Sequence, residues 1–249
     1  MSRRYAADNL SVAKWLEERV EDGVLNVLLV VNPTGDLEGA QEEGRRVQEL
    51  FRSLPSTKLD ELWGKDATRP ALLSRFGSGK YDIIHYAGHA FFDEASPERS
   101  GILCHNHVPI SGVDLAQLTN LPTLVFFNAC ESGRLRRSSR GLLVADEARA
   151  RKTRLEHVRD AVGLAEAFLR GGVSVFVGTY WPVGDTPAKM FADTFYSTIL
   201  KGEPIGDAVL AGRKAVKDSG ARDWANYILY GSQDFVIKEL GSPAASAMS

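Results

Sequence analysis

A histidine and a cysteine stand at the ends of two apolar segments of this chain, and together they could perform nucleophilic catalysis. His89 lies near the end of residues 81–90, and Cys130 lies within residues 124–133. Both segments are typical of buried β-strands because they are continuous apolar runs rich in branched and aromatic side chains. The carboxyl ends of neighbouring parallel strands would bring the imidazole and the thiol to one edge of a sheet. Because a histidine can take a thiol proton near neutral pH, the pair predicts a cysteine hydrolase.

Cys130 could instead be an ordinary core residue, since free cysteines are among the most buried side chains. Two breaks in the apolar pattern favour the catalytic interpretation: residues 131–133 end the second strand abruptly, and Gly88 marks a similar corner before His89. His85 is a rival base, but its position within the strand predicts a packed residue that supports the site. We therefore assign proton transfer to His89.

The two motifs resemble those of the caspase-like cysteine proteases. His89 is followed 41 residues later by the cysteine of Asn-Ala-Cys-Glu-Ser-Gly, which is similar to the caspase pattern Gln-Ala-Cys-x-Gly with an upstream histidine. The chain resembles more closely the CHAT domains, the bacterial branch of this fold, which are often found with TPR repeats or in defence operons. The matching segments follow one another in order: 28–33, 40–43, 67–73, 85–89, 128–133, 181–183 and 224–231.

The resemblance implies a three-layer caspase-like fold of the α/β class, with a mostly parallel central sheet and helices on both faces. It also implies a His–Cys dyad with no obvious third member. The backbone N–H groups of Cys130 and of the residue after His89 would bind the oxyanion. That residue is Ala90, where the family more commonly has glycine, and a backbone donor survives the change.

In caspase-like folds, loops after the central strands wall the pocket for the residue before the cut. The residues that the resemblance places there are Asp93, Asn128, Trp181 and Asp185. A carboxylate in this pocket would select a basic side chain, so we expect cleavage after Arg or Lys with Asp185 as the better candidate acid. Asn128 stands where the related metacaspases carry an acid.

Residues 134–159 directly follow the cysteine motif and carry nine basic and three acidic side chains, whereas the whole chain has a net charge of −2. Three interpretations are open: a solvated helix or loop, a patch that binds polyanions, or an exposed activation loop. The absence of aromatic residues disfavours nucleic acid. An exposed loop is a preferred site of proteolytic nicking. The candidate cleavage residues are Arg137, Arg140, Arg149, Arg151 and Arg154.

The alternation of apolar runs and amphipathic segments predicts a mainly parallel sheet with helices on both faces. Predicted strands are 24–31, 83–86, 124–128 and 173–179, with 227–229 or 235–237 as an edge strand. Predicted helices are 11–20, 38–52, 68–76, 111–118, 162–170, 186–200 and 204–216. We divide the chain into a helical segment at 1–22, a peptidase domain at 23–240 with a basic insertion at 134–159, and a disordered tail at 241–249.

The composition is typical of a cytoplasmic protein. No run approaches the ~20 apolar residues of a membrane helix, the amino terminus does not resemble a signal peptide, and two cysteines in 249 residues indicate no disulfide scaffold. We expect no cofactor, no metal, and no binding to nucleic acid or a membrane. Residues 77–80 lack the spacing of a phosphate loop, and residues 104–107 are more typical of a surface turn than of a metal site.

Three functions remain open on the sequence alone. The first is a cysteine endopeptidase that cuts protein substrates in a regulatory or defence cascade and is itself activated by cleavage within residues 134–159. Its further partners would be an upstream activating protease or a regulatory protein. The second is a catalytically silent scaffold that binds a protein partner through the same groove, and the third is an α/β binding domain in which Cys130 is structural.

Overall fold

A computed structural model describes most of the chain between residues 23 and 237. The described residues are 23–92, 96, 99–118, 120–128, 134–137, 143–145, 165–166, 168–169, 173–179 and 183–237. The predictions of a helix over 11–20 and of a disordered tail at 241–249 therefore lie outside the described residues.

The described elements alternate between strands and helices along the chain. In the first half they are β1 (Leu25–Val31), α1 (Glu38–Arg52), β2 (Thr57–Trp63), α2 (Arg69–Phe76), β3 (Ile83–Ala87), β4 (Ala90–Phe92), β5 (Gly101–Leu103), β6 (Pro109–Ser111) and α3 (Gly112–Leu115). In the second half they are β7 (Leu124–Asn128), β8 (Arg134–Arg137), β9 (Leu143–Ala145), β10 (Val175–Thr179), α4 (Asp185–Ile199), α5 (Ile205–Asp218) and β11 (Tyr227–Tyr230).

A six-stranded sheet occupies the centre, with its strands in the order β11-β10-β7-β3-β1-β2. Five strands are parallel to one another, and β11 closes one edge by pairing antiparallel with β10. Strands β3, β7 and β10 are buried at every position, as expected of parallel strands covered on both faces.

Alternate side chains of each strand enter two separate hydrophobic cores. Leu28 and Val30 face the core that contains Leu72 and Phe76 of α2. Val27, Leu29 and Val31 face the core shared with α1, α4 and α5. Helices thus cover both faces of a mostly parallel sheet, and the predicted fold class is confirmed.

A second, smaller sheet lies next to the first, with strands in the order β6-β5-β4-β8-β9. None of its strands was predicted, because three- and four-residue strands carry too little periodicity to be recognised. Strand β8 pairs parallel with β4 and antiparallel with β9. Of the three interpretations of residues 134–159, a solvated helix or loop does not describe 134–137 and 143–145. These residues are strands, because β8 pairs with β4 and β9 pairs with β8.

The long central elements agree closely with prediction. Strand β7 and helix α1 have the predicted bounds, and the edge strand is the 227–229 candidate, not the 235–237 one. Strand β2 was missed because its sequence, Thr-Lys-Leu-Asp-Glu-Leu-Trp, mixes charged and apolar residues as edge strands often do. Within the described residues, no helix is long and apolar enough to span a membrane.

Candidate active site

The two strands that lead to His89 and Cys130 are direct neighbours in the central sheet. Strands β3 and β7 run parallel, and Ala87 at the end of β3 lies opposite Asn128 at the end of β7. The predicted side-by-side arrangement of these strands is confirmed. Gly88 and His89 follow β3 directly, whereas Cys130 lies outside the described residues.

His89 is buried and is held by a carboxylate. Its side chain lies in the corner between β3 and β4 with 4% exposure. Its Nε2 atom is 2.9 Å from Oδ1 and 3.0 Å from Oδ2 of Asp36. The other ring nitrogen, Nδ1, is buried and has no hydrogen-bond partner among the described residues.

Asp36 is an acceptor in this contact. Partial burial raises the pKa of its carboxyl group, but hydrogen bonds from Thr34 and His89 outweigh burial and bring the pKa below its ordinary value of 3.8. The carboxylate is therefore ionised at neutral pH and can only accept, so His89 donates its proton from Nε2. This assigns the neutral ring to the tautomer in which Nδ1 carries a free lone pair.

The turn between β1 and α1 places Asp36 at the same sheet edge as His89. Asn32 directly follows β1 and has a positive φ of 45°, which asparagine tolerates better than most residues. Its side-chain Oδ1 accepts hydrogen bonds from the backbone N–H groups of Gly35 and Leu37, each at 3.1 Å. Its own backbone N–H donates to the carbonyl of Ala87 at 2.8 Å. The turn is therefore tied directly to the end of β3.

Hydrogen bonds from the Tyr86 hydroxyl fix the backbone of the corner that carries His89. The Tyr86 hydroxyl lies 2.8 Å from the carbonyl oxygen of His89 and 2.7 Å from that of Leu103. The corner also requires glycine at position 88, since a Cβ atom there would lie 2.7 Å from Tyr86 Oη and 2.9 Å from Pro33 Cδ. A bulkier residue would have to displace the segment that carries His89.

The hairpin between β5 and β6 lies against the Asp36 turn. His107 Nε2 is 3.9 Å from Asp36 Oδ2, and His105 Nδ1 is 3.3 Å from the carbonyl oxygen of Pro33. Residues 105–107 form a turn, as predicted for this motif. Cys104 before it is fully buried, and burial raises the pKa of its thiol to about 12. Within the described part of the chain, no three His, Cys, Asp or Glu side chains are grouped to hold a metal ion.

A buried polar cluster lies below the ends of β3 and β7, on the side of α1 and α4. His85 Nδ1 forms a 2.8 Å hydrogen bond with the Tyr196 hydroxyl. His85 Nε2 lies 3.0 Å from Glu43 Oε1 but forms no hydrogen bond with it. Asn128 Nδ2 donates to Glu43 Oε1 at 3.1 Å. His85 has 0% exposure, which agrees with the prediction of a packed residue.

The remaining predicted site residues divide into described and undescribed positions. Ala90 is buried at the start of β4, and Arg137 ends β8 opposite Leu143. Asn128 is fully buried and bonded to Glu43, a placement that lends no support to contact with a substrate. Asp185 is the first residue of α4, and the structure describes its backbone but not its side chain. The residues that lie wholly outside the described part are Asp93, Cys130, Arg140, Arg149, Arg151, Arg154 and Trp181.

Asp36 is a candidate site residue that the sequence did not suggest, since a dyad without a third group was expected. A signal was present. The segment Asn32-Pro33-Thr34-Gly35-Asp36 follows a buried strand, and polar residues at the carboxyl ends of parallel strands converge at one sheet edge. The sequence gives no direct sign that β1 is the neighbour of β3, and this adjacency is what brings Asp36 to His89.

This sheet topology, with a histidine corner beside the strand that leads to a cysteine motif, is that of a caspase-like α/β fold. The chain belongs to the CHAT domain family, whose model matches residues 7–232.

Curated relatives are much longer proteins. Tetratricopeptide repeat protein 28 of Homo sapiens is 33% identical over 88 residues, which cover 34% of this chain and 3% of the relative. Its Mus musculus counterpart is 26% identical over 237 residues, covering 85% of this chain and 9% of the relative. The chain thus spans less than a tenth of the length of these relatives.

Solved structures share the fold at low sequence identity. A chain of the Saccharomyces cerevisiae separase–securin complex has a TM-score of 0.51 at 16% identity, covering 88% of this chain and 13% of that chain. A protein of Geobacter sulfurreducens has a TM-score of 0.50 at 15% identity, covering 84% and 95% of the two chains. These likenesses concern the fold alone.

Proposed function

We propose that this CHAT domain is a cysteine endopeptidase in which Cys130 is the nucleophile and His89 transfers the proton. The observation that carries the proposal is the state of the His89 ring. Its Nε2 is held by a carboxylate, and its Nδ1 is buried with no partner among the described residues. A general base needs a nitrogen with a free lone pair close to the group that it deprotonates. His89 Nδ1 has such a lone pair, and it lies at the sheet edge where the strand before the cysteine motif ends.

The described residues on either side of the cysteine motif support the pairing. Before the motif, Asn128 lies opposite Ala87, which precedes His89 by two residues. After the motif, Arg134 lies opposite Ala90, which follows His89 directly. Neighbouring strands are about 4.8 Å apart. The segment that carries Cys130 therefore begins and ends one strand away from the segment that carries His89.

The chemistry follows in two steps. The Cys130 thiol gives its proton to His89 Nδ1, and the thiolate forms a C–S bond with the carbonyl carbon of the substrate. The oxyanion would accept from the backbone N–H groups of Cys130 and Ala90. His89 then protonates the departing amine as the C–N bond breaks, which leaves a thioester. Water, deprotonated by the same nitrogen, releases the acid and restores the thiol.

We further propose that the substrate is a protein cut after Arg or Lys. Asp185 follows β10, the strand next to β7, and so begins α4 beyond the carboxyl edge of the same sheet. A carboxylate there is suited to pair with a basic side chain. The proposed setting is a regulatory or defence cascade in the cytoplasm, with an upstream protease or regulatory protein as a further partner.

Activation by cleavage within residues 134–159 belongs to the same proposal. Strand β8 starts four residues after Cys130 and pairs with β4, so the cysteine motif and the basic segment share one continuous backbone path. A cut beyond β8 would free the new chain ends and let the backbone around Cys130 adopt its active geometry. Order–disorder transitions of a segment are a common form of such switches. A variant with all arginines of the segment replaced by alanine, fully active without processing, would contradict activation by cleavage.

A peptide library incubated with the wild-type chain and with Cys130→Ala tests the proposed activity. We expect cleavage after Arg or Lys by the wild type and none by the variant. A profile selective for Asp or Leu would contradict the specificity, and cleavage that survives in Cys130→Ala would contradict the nucleophile.

If no cleavage occurs, alkylation at neutral pH distinguishes a catalytically silent scaffold from a binding domain in which Cys130 is merely structural. Cys104 provides an internal control because its buried thiol has a pKa of about 12 and stays protonated, and therefore unreactive, well above neutral pH. Iodoacetamide should label Cys130 rapidly and Cys104 only after unfolding, as read by peptide mass spectrometry. Equal labelling of both thiols would indicate that Cys130 is merely structural.

A further inference from the structure

We propose that Asp36 is a positioning residue for His89: its carboxylate accepts the Nε2 proton, holds the ring in one tautomer and leaves Nδ1 to exchange the proton with Cys130. This inference rests on the proposed function for its catalytic consequence. The contact itself is a property of the described structure. Both carboxylate oxygens lie within 3.0 Å of the same ring nitrogen.

The Asp36 carboxylate is itself held in place. The Thr34 hydroxyl donates to Oδ1, and the Asn32 side chain bonds two backbone N–H groups of the same turn. The turn is also joined to β3 through the hydrogen bond from Asn32 to Ala87. A carboxylate fixed in this way can orient an imidazole, because it does not reorganise when the ring gains a proton.

Two further groups, His107 and Tyr86, lie next to the Asp36–His89 pair. His107 Nε2 lies 3.9 Å from Asp36 Oδ2, and its ring centroid is 6.2 Å from that of His89. The Tyr86 hydroxyl donates to the backbone carbonyl of His89 and not to its ring nitrogens. His107 is half exposed, whereas the His89 ring is buried. Asp36 is thus the one described acidic group in direct contact with His89.

The contact also has an electrostatic consequence. When the Cys130 proton moves to His89, the ring becomes an imidazolium and Asp36 faces a full positive charge. Opposite charges within about 4 Å favour the charged form of each group. Asp36 therefore stabilises the thiolate–imidazolium state relative to the neutral pair, and its loss should move the onset of Cys130 reactivity to higher pH.

Substitution of Asp36 separates an orienting role from simple support of the turn. Asp36→Asn keeps the size of the side chain but offers an N–H donor to Nε2, which favours the wrong tautomer. We expect kcat to fall by about 10²-fold with little change in KM. Asp36→Glu restores an acceptor and should recover part of the loss. Asp207→Asn, which removes an exposed charge on α5, is the matched control and should leave kcat unchanged.

The tautomer is read directly by ¹⁵N NMR of the histidine rings in the full chain, with His89→Gln used for assignment. In the wild type the neutral His89 ring should carry its proton on Nε2, and in Asp36→Asn on Nδ1. A proton that stays on Nε2 in Asp36→Asn, or a kcat within about threefold of the wild type, would overturn the inference. If the wild type cleaves no peptide, the proposed function fails and the NMR measurement still decides the role of Asp36.

Discussion

At the scale of single residues, Glu43 joins two parts of the site that the sequence keeps far apart. Its carboxylate is buried beneath β3 and β7, accepts from Asn128 and lies 3.0 Å from His85 Nε2. Asn128 is two residues from Cys130, so this contact fixes the end of the strand that leads to Cys130. Buried polar groups are costly when a partner is removed, because they lose water without regaining a hydrogen bond.

Replacement of Glu43 should therefore destabilise the fold. We expect Glu43→Ala to lower the free energy of unfolding by about 3 kcal/mol, since the buried Asn128 amide would lose its hydrogen-bond acceptor and His85 would lose the carboxylate beside it. Urea denaturation of each variant provides the measurement. Glu42→Ala, one position along the same helix and exposed, is the control and should change stability by no more than about 0.5 kcal/mol. Equal midpoints for the two variants would contradict the role given to Glu43.

Two of the four polar residues around the site could be predicted from the sequence, and two could not. His89 and Cys130 could be selected from the sequence because each follows an apolar run and stands at a corner. Asp36 and Glu43 could not, because their roles depend on which strands and helices are neighbours. Asp36 acts from the turn after β1, and Glu43 acts from α1. A polar residue on an amphipathic helix is ordinarily expected at the surface, whereas Glu43 has 2% exposure.

At the scale of elements, the corner between β3 and β4 depends on the absence of a side chain at Gly88. A Cβ atom would meet the Tyr86 hydroxyl and the Pro33 ring at less than 3 Å. Tyr86 is buried and bonded to the His89 backbone, so it has no free space into which to retreat. The strain would therefore fall on the segment that carries His89.

Gly88→Ala should lower both stability and catalysis. We expect a loss of about 1–3 kcal/mol from overpacking, together with a reduced kcat because His89 moves away from its position. Thermal unfolding and peptide cleavage measure the two effects. Gly184→Ala is the matched control, since a Cβ there would meet nothing closer than Pro187 Cδ at 3.6 Å. If Gly88→Ala behaved like Gly184→Ala, the corner would not be as tightly packed as we describe.

Elements were predictable in proportion to their length and burial. The central strand β7 and the helix α1 were predicted with the observed bounds, because β7 is a continuous apolar run and α1 shows one helical period over its whole length. The strands of the second sheet were not, since each has three or four residues and is defined by its partner. The pairing of β4 with β8 is the most informative of these, because it joins the segments that follow His89 and Cys130.

At the scale of the whole molecule, the central sheet joins the two halves of the chain across the basic segment. Strand β10 pairs with β7 from Val175 opposite Leu124 onward. Phe126 of β7 lies within 6.0 Å, between ring centroids, of aromatic rings on α4. These rings belong to Phe191, Phe195 and Tyr196. A break between β8 and β10 would leave this shared core intact.

A chain cut between residues 137 and 154 should therefore remain one particle. We expect the two fragments to elute together under native conditions and to separate in denaturant, because the buried contacts between β7, β10 and α4 hold them. Size-exclusion chromatography followed by mass spectrometry gives both readings. Separation under native conditions would show that the covalent connection is needed to keep the sheet whole.

The chain belongs to the CHAT family and has a caspase-like fold, and the central proposal is that His89 and Cys130 act together as one catalytic unit. The most direct test is a double-mutant cycle on the best library substrate, comparing the wild type with His89→Ala, Cys130→Ala and the double variant. Members of one unit are strongly non-additive. We predict that each single variant loses nearly all activity and that the double variant is little slower than either. Losses that add independently, or a His85→Ala variant that is inactive while His89→Ala cleaves normally, would contradict the account.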